Sequence, residues 1–211
     1  MTAFPRSAVA RRLVGFIAVL GAAGCLSKAP LATQSYSIDP PSQRAMEVLP
    51  GAVTVSVYSV RVAAPYGGTS FTYRTGDHRI ERDPYALFAA PPGWMLTVAI
   101  KDYLRQSGFV RDVVEPGDGI SAVAVIEPDV GELYAEFDSP GGAAGILAIR
   151  FRVLGPLAEA APRKELLLKT YRARVPMPQQ TAQAAAVAWN TALATIMDEF
   201  LPDLKASLAA H

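Results

Sequence analysis

The feature that most constrains this chain is an apolar run of 12 residues that follows two arginines and ends at the only cysteine. Arg11 and Arg12 precede the run, and small residues lead into Cys25. This arrangement is typical of a secretory signal. At ~1.5 Å per residue the run would span roughly 18 Å as a helix, short of the ~30 Å hydrocarbon core. Because one cysteine allows no disulfide within the chain, the exported domain must be stabilised by its core alone.

The end of this signal predicts lipidation. Residues 22–25 resemble a bacterial lipobox, at which a diacylglycerol is attached to the thiol before cleavage makes Cys25 the first residue. Ala22 stands where leucine is usual, and the alternative is an ordinary signal peptide that happens to contain a cysteine. Each buried CH₂ of an acyl chain contributes ~0.8 kcal/mol, so several chains anchor stably. Leu26, rather than aspartate, follows the cysteine, which favours the outer membrane, periplasmic face, in lipoproteins that resemble this one.

Charge and length exclude some classes of function. Three of the 20 basic residues leave with the signal, so the mature chain carries 17 basic against 19 acidic residues, a net charge of −2. Nucleic-acid binding needs a clustered basic face, and we expect no such partner. The expected organisation is a signal peptide over residues 1–24, a lipidated tether over 25–50 and one domain over 51–211.

The tether assignment depends on a proline-containing stretch without hydrophobic periodicity. Residues 26–51 contain four prolines and no sustained period. We interpret them as a segment that lets the domain stand away from the membrane. The alternative for residues 36–38 is an edge strand of the domain.

Hydrophobic periodicity in the rest of the chain predicts an α+β fold. Alternating patterns mark strands, and apolar spacings of three and four mark helices. The expected class is a mixed, largely antiparallel sheet with two main helices packed on it. Strands are expected over residues 53–60, 70–74, 78–82, 109–114, 120–126, 132–138, 147–153 and 166–175, and helices over residues 94–106 and 179–201.

Two runs near the middle predict a charged hairpin. Glu132 and Glu136 alternate with apolar residues in the first run, and Arg150 and Arg152 do so in the second. If the runs pair, the acidic face of one strand lies beside the basic face of the other, which contributes ~0.2–1 kcal/mol per pair. A slip of one residue would bury both arginines, so the register is well specified.

The last helix carries a continuous apolar stripe. Trp189 lies on this stripe, and we interpret it as a core anchor rather than a ligand contact. Pro202 is expected to end or kink the helix. The stripe consists of Ala182, Ala185, Ala186, Trp189, Leu193, Ile196, Met197 and Phe200.

Residues that would support catalysis or metal binding are few. His78 and His211 are the only histidines, so no metal cluster and no cofactor other than the lipid are expected. No Gly-x-Ser-x-Gly is present, and the glycine-rich residues 141–145 lack the Lys-Ser/Thr ending of a phosphate loop. The acids of residues 132–138 are expected to be a solvated strand face. We therefore expect a protein that is not an enzyme.

The order of these pieces resembles a known family. The mature chain is similar, over roughly residues 35–201, to the ABC-type transport auxiliary lipoproteins, the group that includes PqiC. The supporting features are the lipobox, the valine-rich first strand, residues 71–74, the lead of residues 85–92 into a helix that ends at residues 107–109, residues 133–137 and the alanine-rich final helix.

This resemblance implies a periplasmic component of an MCE-type ABC transport system that moves lipids or other hydrophobic molecules between the two membranes. Its implied partners are an MCE-domain protein and the permease and ATPase of that system, with the membrane bound through the lipid anchor. Self-association into a homo-oligomer is compatible with a ring-shaped MCE partner. We expect exposed residues near Tyr73, Arg74, Tyr85 and Phe88 to form the partner surface.

Two other functions are left open by the sequence. The domain could carry a lipid itself, which requires an apolar pocket of ~300–1,000 Å³. A cavity lined by Leu96, Ile100 and Phe137 would favour carriage, whereas a filled core would favour docking. A weaker alternative is an outer-membrane lipoprotein that serves envelope assembly.

Overall fold

The computed structural model describes residues 32–39, 47–76, 79–137, 140–156 and 162–210. Cys25, Asp77 and His78 lie outside these residues. None of the described helices combines the length and the hydropathy that a membrane span requires. The described elements are the strands β1 (Gln34–Tyr36), β2 (Val53–Val57), β3 (Arg61–Val62), β4 (Ser70–Arg74), β5 (Ile80–Phe88), β6 (Val110–Val114), β7 (Ala124–Glu136), β8 (Ala144–Leu154) and β9 (Glu165–Pro176), a short 3₁₀ helix (Ala64–Tyr66), and the helices α1 (Pro92–Gln106) and α2 (Ala182–Ala209).

All of these strands belong to one mixed sheet, which confirms the predicted α+β class. The long strand β7 pairs with antiparallel β8 along one edge, and β8 pairs with antiparallel β9. Along its other edge β7 pairs in turn with β2, β3 and β4, and all three pairings are parallel. Strand β6 extends the sheet from β2, while β5 and then β1 extend it from β4. The sheet therefore divides into two arms on that side of β7.

The length of β7 differs from the expectation. We expected separate runs over residues 120–126 and 132–138, but one strand of 13 residues joins them through Pro128 and Gly131. Pro128 falls between the stretches that pair with β2 and with β3. The register against β8 shifts between Val130 and Glu132, so Gly131 lies at a bulge, a position that glycine favours.

The predicted pairing of the two strands is confirmed, but both acids named in the prediction, Glu132 and Glu136, have other partners than Arg150 and Arg152. Asp129 lies opposite Arg150 and 2.8 Å from its guanidinium. Glu132 and Glu136 lie opposite Ala148 and Ala144 of β8 rather than opposite its arginines. These two acids reach past β8 to arginines of β9, with Arg172 Nε 2.6 Å from Glu132 and Arg174 Nε 3.5 Å from Glu136.

Both helices pack on the opposite, apolar face of the sheet. Trp189 is 1% exposed, and its indole N–H donates to the Tyr134 carbonyl at 3.0 Å, which confirms it as a core anchor. A Cβ on Gly145 would lie 2.6 Å from the Cβ of Ala188. Glycine on β8 and alanine on α2 thus bring this helix unusually close to the sheet.

Pro202 does not end α2, contrary to one of the two outcomes expected for it, and it does not lie in the last turn of the helix. It is an exposed residue inside a helix that continues to Ala209. Phe200 and Leu204 lie on either side of it, and both are 0% exposed. Because core packing holds both turns, the helix tolerates the hydrogen bond that proline removes.

An edge strand does begin the domain, but it lies at Gln34–Tyr36 rather than over residues 36–38. β1 pairs in parallel with the end of β5, with Tyr36 beside Phe88. Ile38 is only 6% exposed and belongs to the core. The compact unit begins at Thr33, so part of the segment predicted as tether belongs to the domain.

A candidate docking groove beside helix α1

The start of α1 is fixed by close backbone contact. Pro91 and Pro92 open the helix, where a missing N–H costs nothing. A Cβ on Gly93 would lie 2.8 Å from the Val60 carbonyl oxygen, so glycine is needed for this approach. The Thr97 hydroxyl accepts from the Val60 N–H at 2.8 Å and donates to the Gly93 carbonyl at 2.6 Å. These contacts hold the N-terminal half of α1 rigidly against the chain between β2 and β3.

The outer side of α1 carries two parallel rows of residues spaced by four. The inner row is buried and consists of Met95, Ala99 and Tyr103. The outer row begins with Trp94 and Val98, which are 63% and 40% exposed. An apolar floor thus lies beside a prominent apolar rim, which we call the α1 groove.

The opposite wall of the α1 groove comes from the chain that follows β1. Asn190 of α2 holds this wall by two hydrogen bonds: its side-chain oxygen accepts from the Asp39 N–H at 2.6 Å, and its amide donates to the Ser37 carbonyl at 3.2 Å. Helix α2 therefore fixes a wall that faces α1. The resulting groove has a volume of about 420 Å³ and is lined by Ser37, Ile38, Asp39, Ala89, Ala90, Trp94, Met95, Val98, Ala99, Asp102, Tyr103 and Gln106.

Among the described residues that line the α1 groove, the charges are all negative. Asp39 and Asp102 are the charged members of the described lining. Asp102 forms an exposed ion pair with Arg105 one turn along the helix, at 3.0 Å. The Tyr103 hydroxyl donates to Asp198 of α2 and is thus engaged away from the groove. The groove offers apolar surface in its middle and carboxylates on its rim.

Phe88 does not lie on the surface, and its assignment to a partner surface is corrected. It is 5% exposed, and its ring centroid lies 4.6 Å from that of Phe71 and 5.4 Å from that of Trp189. It closes β5 with its ring directed into the core, just before the two alanines that line the groove.

Tyr73 and Arg74 lie on opposite faces of the sheet, as successive strand residues must. Tyr73 packs on Phe137 with centroids 4.7 Å apart, and its hydroxyl donates to Asp83 at 2.9 Å. Burial and this carboxylate raise the pKa of Tyr73 well above its ordinary value. Arg74 donates to the Tyr134 hydroxyl at 3.1 Å on the face away from the helices.

The four predicted surface residues are therefore not gathered into one site. Tyr85 is exposed at 46%, while its backbone N–H is held by Asp83 at 2.8 Å. None of the four lines the α1 groove. The sequence analysis missed Trp94 and Val98, although their spacing of four, off the face that holds Leu96 and Ile100, is a signal for a second apolar stripe.

The face away from the helices carries a dense network of ion pairs. Asp129 accepts from Arg61 and from Arg150, each at 2.8 Å. The hydrogen bond from Arg61 is the main cause that lowers the pKa of Asp129, with a further contribution from Arg150. Arg152 bridges Glu165 at 2.8 Å and Glu127 at 3.8 Å. Because these charges are mutually compensated, this face is polar yet nearly neutral.

Comparison with protein families identifies the chain. The model of the ABC-type transport auxiliary lipoprotein component matches residues 36–200. This match covers most of the domain, and the chain belongs to that family. No curated protein matches the chain.

Solved structures share the fold at low sequence identity. Protein XCC0632 from Xanthomonas campestris is 15% identical, with a TM-score of 0.67, over 80% of this chain and 92% of that one. An uncharacterised protein is 14% identical, with a TM-score of 0.56, over 80% and 99% of the two chains. The hypothetical protein CT253 from Chlamydia trachomatis is 10% identical, with a TM-score of 0.50, over 76% and 99%. At these identities the likeness concerns the fold alone.

Proposed function

We propose that this protein is a lipid-anchored periplasmic component of an MCE-type ABC system that moves lipids or hydrophobic molecules between the inner and outer membranes. Its acyl chains on Cys25 hold the domain at the outer membrane. Its partners are the MCE-domain protein and, through it, the permease and ATPase. The domain performs no chemistry of its own and acts by docking these partners. Family membership over residues 36–200 is the observation that carries this proposal.

A packed core supports docking over lipid carriage. Leu96 and Ile100, which would line an internal lipid cavity, are both 0% exposed within the main core cluster. Phe137, the third residue of that set, packs against Tyr73. Close-packed protein interiors have few voids larger than a water molecule, so an acyl chain would require repacking. The space beside α1 is instead a surface groove suited to a partner.

Capture of the MCE protein tests this function. The lipidated full chain would be expressed with the MCE protein, permease and ATPase, extracted in mild detergent and recovered by an affinity tag. We expect the MCE protein to copurify in a fixed ratio. Recovery of the lipidated chain without the MCE protein would contradict the proposal.

The Cys25→Ala variant separates anchoring from docking. Because cleavage of the native signal requires the lipidated thiol, the variant is exported behind a signal peptide that is cleaved without lipid attachment. We expect it to move from the membrane to the soluble periplasmic fraction while it still captures the MCE protein in detergent extracts. Mass spectrometry of the wild-type protein would show a diacylglyceryl-modified Cys25. An unmodified, freely soluble wild-type protein would contradict the anchor.

A further inference from the structure

We propose that the α1 groove is the docking site for a protein segment that places a bulky apolar side chain on its floor and a lysine or arginine beside Asp39 and Asp102. This inference rests on the proposed function, because it assumes that the segment belongs to the MCE protein. It adds to that function the surface used and the chemistry of the partner.

The exposure of Trp94 is the first argument. A tryptophan that is 63% exposed beside a 40% exposed valine leaves apolar surface in water that a partner would cover. Tryptophan is among the residues that dominate binding when they are desolvated at the centre of an interface. The groove beside it, at about 420 Å³, has room for apolar side chains of a partner.

The rigidity of the groove is the second argument. Its floor consists of residues that are at most 8% exposed, and its far wall is held by both polar atoms of the Asn190 side chain. The helix on the near side is fixed by Gly93 and Thr97. A site that is formed before binding pays little ordering entropy when a partner enters.

Charge distinguishes a protein partner from a bilayer. A surface that binds anionic lipid headgroups is typically lined by lysine and arginine. The α1 groove is concave, and the charged residues of its described lining are the two aspartates. Asp39, together with the half-exposed Asp102 that also pairs with Arg105, favours a cationic side chain and opposes an anionic lipid surface. The groove therefore fits a basic and apolar protein segment.

A second exposed valine provides a matched control. Val187 of α2 is 60% exposed, more than Val98, and lies on the other helix of the same layer. The groove beside it is lined by uncharged residues, among them Pro176, Pro178 and Thr181. A valine-to-aspartate change at either position adds one charge to an exposed helix face. Only the change at Val98 alters the α1 groove.

The test is the affinity of the lipidated chain for the purified MCE protein in detergent. We expect Trp94→Ala and Val98→Asp to weaken binding at least about tenfold, and Val187→Asp to change it less than about threefold. Asp102→Lys should also weaken binding, and the loss of affinity should be larger at low salt than at high salt. Salt screens the attraction between the carboxylate and the partner's cation, so removing that attraction matters less when the salt concentration is high. Unchanged affinity of Trp94→Ala and Val98→Asp would overturn the inference. If the wild-type chain itself does not bind, the proposed function fails instead.

Tryptophan fluorescence separates the possible occupants. The chain has two tryptophans, and because Trp189 is 1% exposed, acrylamide quenching reports on Trp94. We expect the MCE protein to protect Trp94 of the wild-type chain from quenching. When the Cys25→Ala chain is mixed with phosphatidylcholine vesicles, we expect the quenching of Trp94 to stay unchanged. Protection by vesicles would assign the groove to a bilayer. Protection of Trp94 that increases with the concentration of the chain alone would assign the groove to a second copy of the chain. Either result overturns the inference.

Discussion

At the scale of single residues, two glycines show why close packing must be read from the structure. Gly145 and Gly131 both lie on paired strands, and the sequence does not show which of them a helix approaches. A Cβ on Gly145 would meet Ala188 at 2.6 Å, whereas a Cβ on Gly131 would meet nothing within 4 Å. Their sensitivity to substitution should therefore differ.

The first prediction compares these two positions. Gly145→Ala should lower the free energy of unfolding by about 1–3 kcal/mol, because α2 must move away from β8. Gly131→Ala should change it by no more than about 0.5 kcal/mol. Chemical denaturation of the purified chain measures both, and equal effects of the two substitutions would contradict the packing described.

The second prediction concerns pH. Arg61 and Arg150 hold the folded-state pKa of Asp129 below its ordinary value of 3.8. A lowered carboxylate pKa adds stability that is present above the ordinary value and is lost as pH falls through the folded value. We expect Asp129→Asn to be less stable than wild type near neutral pH and to lose less stability below about pH 4. Denaturation curves across that range measure this difference, and parallel pH profiles would contradict it.

At the scale of elements, hydrophobic periodicity predicts which face of a strand or helix is buried. The alternation in β7 and β8 was enough to place their charges on one face, and the stripe around Trp189 was enough to identify the core side of α2. The register could not be predicted from the periodicity, because the bulge at Gly131 shifts the pairing of β7 with β8 by one residue. Glu132 and Glu136 form their ion pairs with arginines of β9. A local irregularity of one residue has no periodic signature.

The docking groove was also beyond sequence analysis, for a related physical reason. Its two sides come from α1 and from the chain after β1, and a hydrogen-bonding residue of α2 joins them. The sequence shows aromatic residues but not which of them a distant element covers. Phe88 and Trp94 illustrate this, since the first is 5% and the second 63% exposed.

The third prediction tests whether α2 contributes to the core beyond Pro202. Leu204 is 0% exposed, whereas Leu168 on β9 is 52% exposed. Leu204→Ala should cost about 2–5 kcal/mol of unfolding free energy, and Leu168→Ala should cost little. A negligible effect of Leu204→Ala on the denaturation midpoint would mean that the helix does not pack past the proline.

At the scale of the whole molecule, the domain separates two kinds of surface. One face of the sheet carries compensated arginine–carboxylate pairs, and the helices cover the other face and present the apolar α1 groove. Folding and docking then depend on different residues. Anchoring, in the proposal, depends on Cys25 and on neither surface.

The fourth prediction follows from this separation. Trp94→Ala should keep the melting temperature and the membrane fractionation of wild type while it loses the MCE protein, because its side chain is largely solvent-exposed. Cys25→Ala should leave the membrane fraction but still capture the MCE protein. Thermal unfolding, fractionation and affinity capture together check it. Loss of folding in Trp94→Ala would contradict the separate roles.

Site-specific photocrosslinking at position 94 in living cells tests the central claim most directly. Trp94→p-benzoylphenylalanine would place the reactive group on the rim of the α1 groove, with the same replacement at Val187 as the control. The account predicts an ultraviolet-dependent adduct with the MCE protein from position 94 and none from position 187. An adduct from both positions, or from position 94 only with lipid or with a second copy of the chain, would contradict it.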